Sequence, residues 1–125
     1  MSYIIVFFAI SFVILVHEIG HLLTAKSTGI SVIRFSVGFG PRLWRIRYRN
    51  TEYQVSWIPC GGYVLPDVED EHTYFMLPLR KRILFALGGP AANILGAMVC
   101  LSLINIAQHG FSLNAVLIHP LHVTW

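Results

Sequence analysis

YIIVFFAISFVILVHEIGHLL, Tyr3 to Leu23, is apolar apart from Ser11 until it reaches Val16, and it then places two histidines and a glutamate in quick succession. A helix needs ~20 predominantly apolar residues to cross the hydrocarbon core of a bilayer, and this stretch supplies them. A second run of the same kind extends from Ile83 to Ala107. Between them they account for a composition that is 55% hydrophobic and only 12% charged, with a mean hydropathy of +0.64 over 125 residues. A soluble domain of this size needs more charge to cover its surface. The sequence therefore predicts a membrane α-helical protein, with two transmembrane helices joined by a small antiparallel β-hairpin or meander. A cleaved signal peptide is not expected. Met1-Ser2-Tyr3 carries no positive charge, the apolar run is too long, and no small-residue cleavage site follows it.

All nine Lys and Arg residues, from Lys26 to Arg82, lie between the two apolar runs. Under the positive-inside rule this makes a multi-pass membrane protein with the central segment cytoplasmic and both ends on the opposite side. The segments expected are a first transmembrane helix over 1–27, a cytoplasmic, membrane-associated β-rich loop over 28–82, a second transmembrane helix over 83–107 and a non-cytoplasmic tail over 108–125. The net charge of +3 is thus a signal of orientation, with Arg80-Lys81-Arg82 placed to meet lipid headgroups. No nucleic-acid partner is expected, because no stacking or groove-reading motif accompanies the basic residues.

The first helix is expected to run on to about Ser27, with Gly29 as its stop. Beyond it the pattern changes to period two. Val32–Phe39 reads as a strand ending at Gly38-Phe39-Gly40-Pro41. Arg45, Arg47 and Arg49 alternate with Trp44, Ile46 and Tyr48, and Tyr53, Val55 and Trp57 with Gln54, Ser56 and Ile58. Asn50-Thr51 is the expected turn between these two strands. Gly61-Gly62 and Pro66 are expected to break the sheet, and Asp67–Glu71 to form a solvated acidic loop. Cys60 and Cys100 match no metal or disulfide spacing.

His17-Glu18-Ile19-Gly20-His21 is an H-E-x-x-H motif on a predicted helix. Residues four apart share a helical face, so both imidazoles can reach one metal ion. Glu18 is rotated by about 100° from His17, beside the metal and not bound to it. From there it can take a proton from an attacking water and pass it to a leaving amine. At ~1.5 Å per residue, His17 stands about 20 Å along a helix starting near Tyr3, inside the bilayer or near its cytoplasmic boundary. Ionisable groups at such a depth are costly and are read as functional. His17 and His21 are the candidate zinc ligands and Glu18 the candidate general base. The bland alternative is a metal-free polar trio bonded between helices, which a lone histidine would favour and this spacing does not.

With these residues in place, the chain resembles the site-2 protease family, peptidase family M50. Val16–His21 is similar to that family's first-helix motif and Phe35–Pro41 to the segment after it. Ile58-Pro59-Cys60-Gly61-Gly62-Tyr63-Val64 is similar to its P-x-G-G-Y-V stretch, and Gly89-Pro90-Ala91-Ala92-Asn93 to its G-P-x-x-N motif. The resemblance implies a zinc-dependent intramembrane endopeptidase that cuts transmembrane segments of substrate proteins in regulated intramembrane proteolysis. It also implies that the hairpin presents an extended substrate by strand addition, with Gly61 and Gly62 at the substrate. Asn93 would help hold the substrate backbone or its oxyanion, or else make an interhelical hydrogen bond.

The sequence departs from the family at one point. The third zinc ligand there is an aspartate of an L-D-G motif on a later helix, whereas Asp67 and Asp70 of the acidic loop are the only aspartates here. A catalytic zinc takes three protein ligands and one open position. His109, His119 and His122 belong to a tail expected across the membrane from His17. Two helices alone do not enclose a metal pocket. The expectation is an incomplete protease whose third ligand comes from a further membrane segment. The alternative is a non-catalytic adaptor that holds membrane-protein clients. A prenyl-protein protease would share H-E-x-x-H but not the other motifs.

Overall fold

The computed structural model describes residues 1–68 and 71–109. The order of elements is α1 (Ser2–Thr28), β1 (Val32–Tyr48), β2 (Thr51–Pro66), α2 (Glu71–Met76) and α3 (Leu79–His109). Two long apolar helices thus flank one antiparallel sheet, and both helices are long and apolar enough to cross a membrane. The chain divides into two compact units, Met1–Ala92 and one beginning at Asn93. The first holds α1, the sheet, α2 and the opening turns of α3. The described part of the second is the rest of α3. Asp70, His119 and His122 lie outside the described residues, as does the tail beyond His109.

α1 ends as its sequence dictates. Gly29 takes a left-handed φ of 76°, its N–H reaches Lys26 O, and the next N–H, from Ile30, reaches Ala25 O at 2.8 Å. These are the two hydrogen bonds of a Schellman cap, and the buried pair Ile30 and Ala25 closes it with an apolar contact. An L side chain in this conformation costs ~1–2 kcal/mol. Gly29→Ala is therefore expected to lower stability by about that amount, read as a depressed melting midpoint in detergent with α1 still helical by circular dichroism.

The small core lies where the last turns of α1 meet the sheet. Leu22, Ala25, Ile30, Val32 and Phe35 are buried, with Leu15, Val37, Tyr53, Val64, Leu77 and Phe85 packed around them. Among the described residues nothing covers the first turns of α1: Tyr3, Ile5 and Phe8 are exposed, as are their apolar neighbours. Helix and sheet are also tied by a polar contact, as Lys26 Nζ donates to the Tyr53 hydroxyl, while within the sheet Thr51 Oγ1 donates to Val32 O at 2.8 Å.

The sheet is more continuous than the sequence suggests. Its turn is Arg49-Asn50, Tyr48 pairs with Thr51, and Arg49 carries the left-handed φ of 54°. Thr51 is thus the first residue of β2, displacing the expected Asn50-Thr51 turn by one position. Nor do Gly38-Phe39-Gly40-Pro41 and Gly61-Gly62 end their strands; they bend them. Arg42–Tyr48 runs against Thr51–Ser56, and Val32–Val37 against Gly62–Pro66. Arg34–Val37 also lies beside Glu52–Val55, with both residue numbers rising together. The ribbon is therefore folded on itself, with Gly62–Pro66 at an edge that pairs with no further strand among the described residues. Gly61 makes the bend possible: its φ is 117°, and the Phe39 ring fills the space where a Cβ would stand.

Two elements depart from the sequence reading in extent. α2 falls at the end of the expected acidic loop, and six residues give no usable periodicity. α3 begins at Leu79, not Ile83, because Pro78 O accepts from the N–H groups of Lys81 and Arg82 and so starts the helix. Arg80-Lys81-Arg82 are consequently inside its first turn.

Candidate metal centre

The helical spacing of His17 and His21 has the geometric consequence expected of it. Their Nε2 atoms stand 3.1 Å apart, with ring centroids 4.7 Å apart and planes at 80°. Both residues are half-buried. The far side of His21 is held by α3, where Nδ1 donates to Phe85 O at 2.7 Å. A carbonyl only accepts, so this contact places the His21 proton on Nδ1 and leaves a lone pair on Nε2 in the neutral ring. That lone pair is directed into the gap shared with His17.

Whether zinc fits can be tested on this gap. Two nitrogens bound to one tetrahedral zinc at ~2.0–2.1 Å lie roughly 3.3 Å apart, close to the 3.1 Å observed. A zinc-bound histidine ordinarily donates its other ring N–H to a carbonyl or carboxylate, as His21 does to Phe85. The pair fits a zinc ion. Among the described residues no group of three or more His, Cys, Asp or Glu side chains could hold a metal. His17 and His21 by themselves would supply two of the three protein ligands that a catalytic zinc takes. Asp67 is described and stands at the end of the sheet, where its N–H donates to Ser31 O.

α1 and α3 approach closely enough to make this arrangement because both carry glycine at the contact. Gly20 and Gly88 are buried, and a Cβ on Gly20 would run into Gly88 O and Ala92 Cβ. A Cβ on Gly89 would stand 2.5 Å from His17 Nε2 and 2.6 Å from His21 Nε2. Thr24 Oγ1 donates to Gly20 O at 2.9 Å and lies where a Gly88 Cβ would go. The sequence marks the small residues of the second run as permitting a close helical neighbour, but it does not reveal that they are opposite the histidines.

Glu18 is half-buried on the side of α1 that meets β2. Its Cγ is 3.2 Å from the position a Cβ on Gly62 would occupy. The structure thus brings Gly62, and the bend at Gly61, to the glutamate. Asn93 is the first residue of the second unit and is half-buried on α3. Phe85 is the participant that sequence reasoning misses, since it acts through its backbone carbonyl and any residue type could supply that atom.

Two imidazoles converge on one point and a glutamate stands beside them on the same helix, the pattern of residues that can bind zinc in a metallopeptidase. Peptidase family M50 matches residues 5–123, and the chain belongs to that family. It is 37% identical over 113 residues to a candidate zinc metalloprotease of Chlamydia pneumoniae, covering 77% of the chain and 18% of that relative. Against a candidate zinc metalloprotease of Nostoc sp. it is 37% identical over 120 residues, 89% of the chain and 32% of the relative. Against the zinc metalloprotease Rip1 of Mycobacterium tuberculosis it is 38% identical over 113 residues, 80% and 27% respectively. The chain therefore spans less than a third of the length of these relatives.

Proposed function

We propose that this chain supplies two zinc ligands and the general base of an intramembrane endopeptidase that cleaves transmembrane segments of other proteins. The observation that carries the reading is the convergence of His17 and His21 Nε2 on a helix of membrane-spanning length. In this reading α1 and α3 cross the bilayer, the sheet lies at its cytoplasmic side, and a further membrane segment donates the third ligand. Support for the orientation comes from the confinement of Lys and Arg to residues 26–82.

Bound at the pair, zinc would polarise the scissile carbonyl and acidify a water. The remaining steps belong to the chain. Glu18 takes the proton of the attacking water and hands it to the leaving amine nitrogen, so the carboxylate is restored at the end of the cycle. His21, fixed by Phe85 O, keeps its Nε2 lone pair aimed at the site. The substrate must be extended before its amide can be attacked, and Gly62–Pro66, which starts beside Glu18 and pairs with no further strand among the described residues, would be the edge it joins. Gly62 would stand where that strand meets Glu18, Gly61 would hold the bend that precedes it, and Asn93 would hold the substrate backbone or the oxyanion.

The test is metal content and cleavage in the full-length protein. About one zinc per chain is expected, with cleavage of a transmembrane substrate lost to a chelator and restored by zinc. Cleavage that survives complete metal removal would overturn the reading. A protein that takes up no zinc and cuts nothing, yet captures membrane-protein clients, would establish the adaptor in its place.

A further inference from the structure

We propose that the outer segment of the sheet, Arg42–Tyr48, is a binding site for anionic phospholipid headgroups, with Trp44, Ile46 and Tyr48 seated among the lipids and Arg42, Arg45 and Arg47 taking the phosphates. The inference rests on the reading that α1 crosses the bilayer, and not on zinc.

A single contact sets the depth of the sheet. Lys26 is in the last turn of α1 and donates to the Tyr53 hydroxyl of β2. At ~1.5 Å per residue Lys26 stands about 36 Å along α1 from Ser2, more than the ~30 Å of a hydrocarbon core. A spanning α1 therefore holds Tyr53, and the sheet around it, at the level of the headgroups. Across the sheet Tyr53 pairs with Phe35 on one side and with Ile46 on the other. Directly opposed residues share a face, and Phe35 is buried in the core beside Leu22 and Ala25 of α1. Ile46 therefore extends the face that meets α1, and so do Trp44, opposite Val55, and Tyr48, opposite Thr51. Nothing among the described residues covers this extension: Trp44 is 57% exposed, Ile46 49% and Tyr48 60%. Trp and Tyr are the side chains best suited to the boundary between hydrocarbon and water.

The opposite face and the edge are cationic. Arg45 stands opposite Gln54 and Arg47 opposite Glu52. Glu52 is shared by three guanidiniums, with Arg34 at 3.2 Å and Arg42 and Arg45 each at 3.9 Å. One carboxylate cannot neutralise three cations, and the side chains of Arg42 and Arg45 remain 55% and 64% exposed. Arg42, Leu43, Trp44 and Arg45 line an open groove of about 370 Å³. There two guanidiniums, which match a phosphate with paired N–H donors, lie beside an indole that can rest on the methylenes behind it. Basic residues clustered beside a membrane span select anionic lipids. The row Trp44, Val55, Val37 and Gly62 then crosses the sheet to Glu18, so an edge anchored at the headgroups also sets the depth at which Gly62 meets Glu18.

The experiment uses full-length protein with a bimane fluorophore at Ile46→Cys, in a background without other cysteines. In neutral detergent, phosphatidylglycerol should give a saturable change in fluorescence and phosphatidylcholine none. Arg45→Gln with Arg47→Gln should weaken that binding by ~25-fold, at about fivefold for each cation near a lipid surface. The melting midpoint should not fall, because both side chains are exposed. In nanodiscs brominated lipid should quench the fluorophore and aqueous iodide should not. An equal response to both lipids, or unchanged affinity in the double variant, overturns the proposal. Quenching by iodide alone overturns it too, as does quenching by neither, which would mean that another part of the protein or a substrate covers this face. Metal-free protein that selects the anionic lipid but never cleaves keeps this site and removes the proteolytic reading; zinc-bound, active protein without the selectivity does the reverse.

Discussion

Full-length protein carrying Glu18→Gln is expected to retain its zinc and to lose cleavage of a transmembrane substrate by ~10²–10⁴-fold, the range over which a positioned general base contributes. Glutamine preserves the shape of the side chain and its contact with β2, where Glu18 Cγ lies 3.2 Å from the space above Gly62. It removes only the capacity to accept a proton and release it. The imidazoles are unaffected, since neither depends on the carboxylate for its 3.1 Å partner contact or for the bond to Phe85 O. Zinc content, the melting midpoint and substrate capture should therefore match wild type, while turnover falls. If turnover persisted at the wild-type rate with zinc bound, another group would have to carry the proton. Loss of zinc together with turnover would instead make Glu18 part of the metal site.

Much of this site was legible in the sequence because helical periodicity is a local property. The step of four from His17 to His21 is enough to bring the rings together on any helix, and the apolar run before them leaves no doubt about the helix. Gly29 was readable as a stop for the same reason, since its left-handed conformation is dictated by adjacent backbone alone. The sheet was harder. Period-two alternation identified the strands but could not distinguish a glycine that ends a strand from one that bends it. That choice depends on a distant partner: Val32–Val37 returns to pair with Gly62–Pro66 and keeps the chain extended past Gly61. The part played by Phe85 was not legible at all. A backbone carbonyl has no residue signature, and its use depends on where α3 lies against α1.

Replacing each histidine in turn should separate the metal site from the scaffold around it. His17→Ala and His21→Ala should each weaken zinc binding by more than the ~10–100-fold that follows loss of a supporting hydrogen bond, because each removes a ligand outright. In the metal-free state the two should differ. His21→Ala takes away the α1 donor of Phe85 O and with it a hydrogen bond between the helices, a contribution of ~0.5–1.5 kcal/mol. It also removes the ring that packs on Phe85, with centroids 5.2 Å apart, beside the core where Leu22 and Ala25 are buried. His17→Ala leaves both Phe85 contacts intact. The metal-free melting midpoint in detergent should therefore fall further for His21→Ala than for His17→Ala, although both lose zinc. Equal midpoints would mean that the 2.7 Å bond to Phe85 contributes nothing to holding α1 against α3. The helices would then depend on the glycine contact at Gly20 and Gly88 and on the packing of Phe85 against the core, leaving His21 free to turn its Nε2 away from the site.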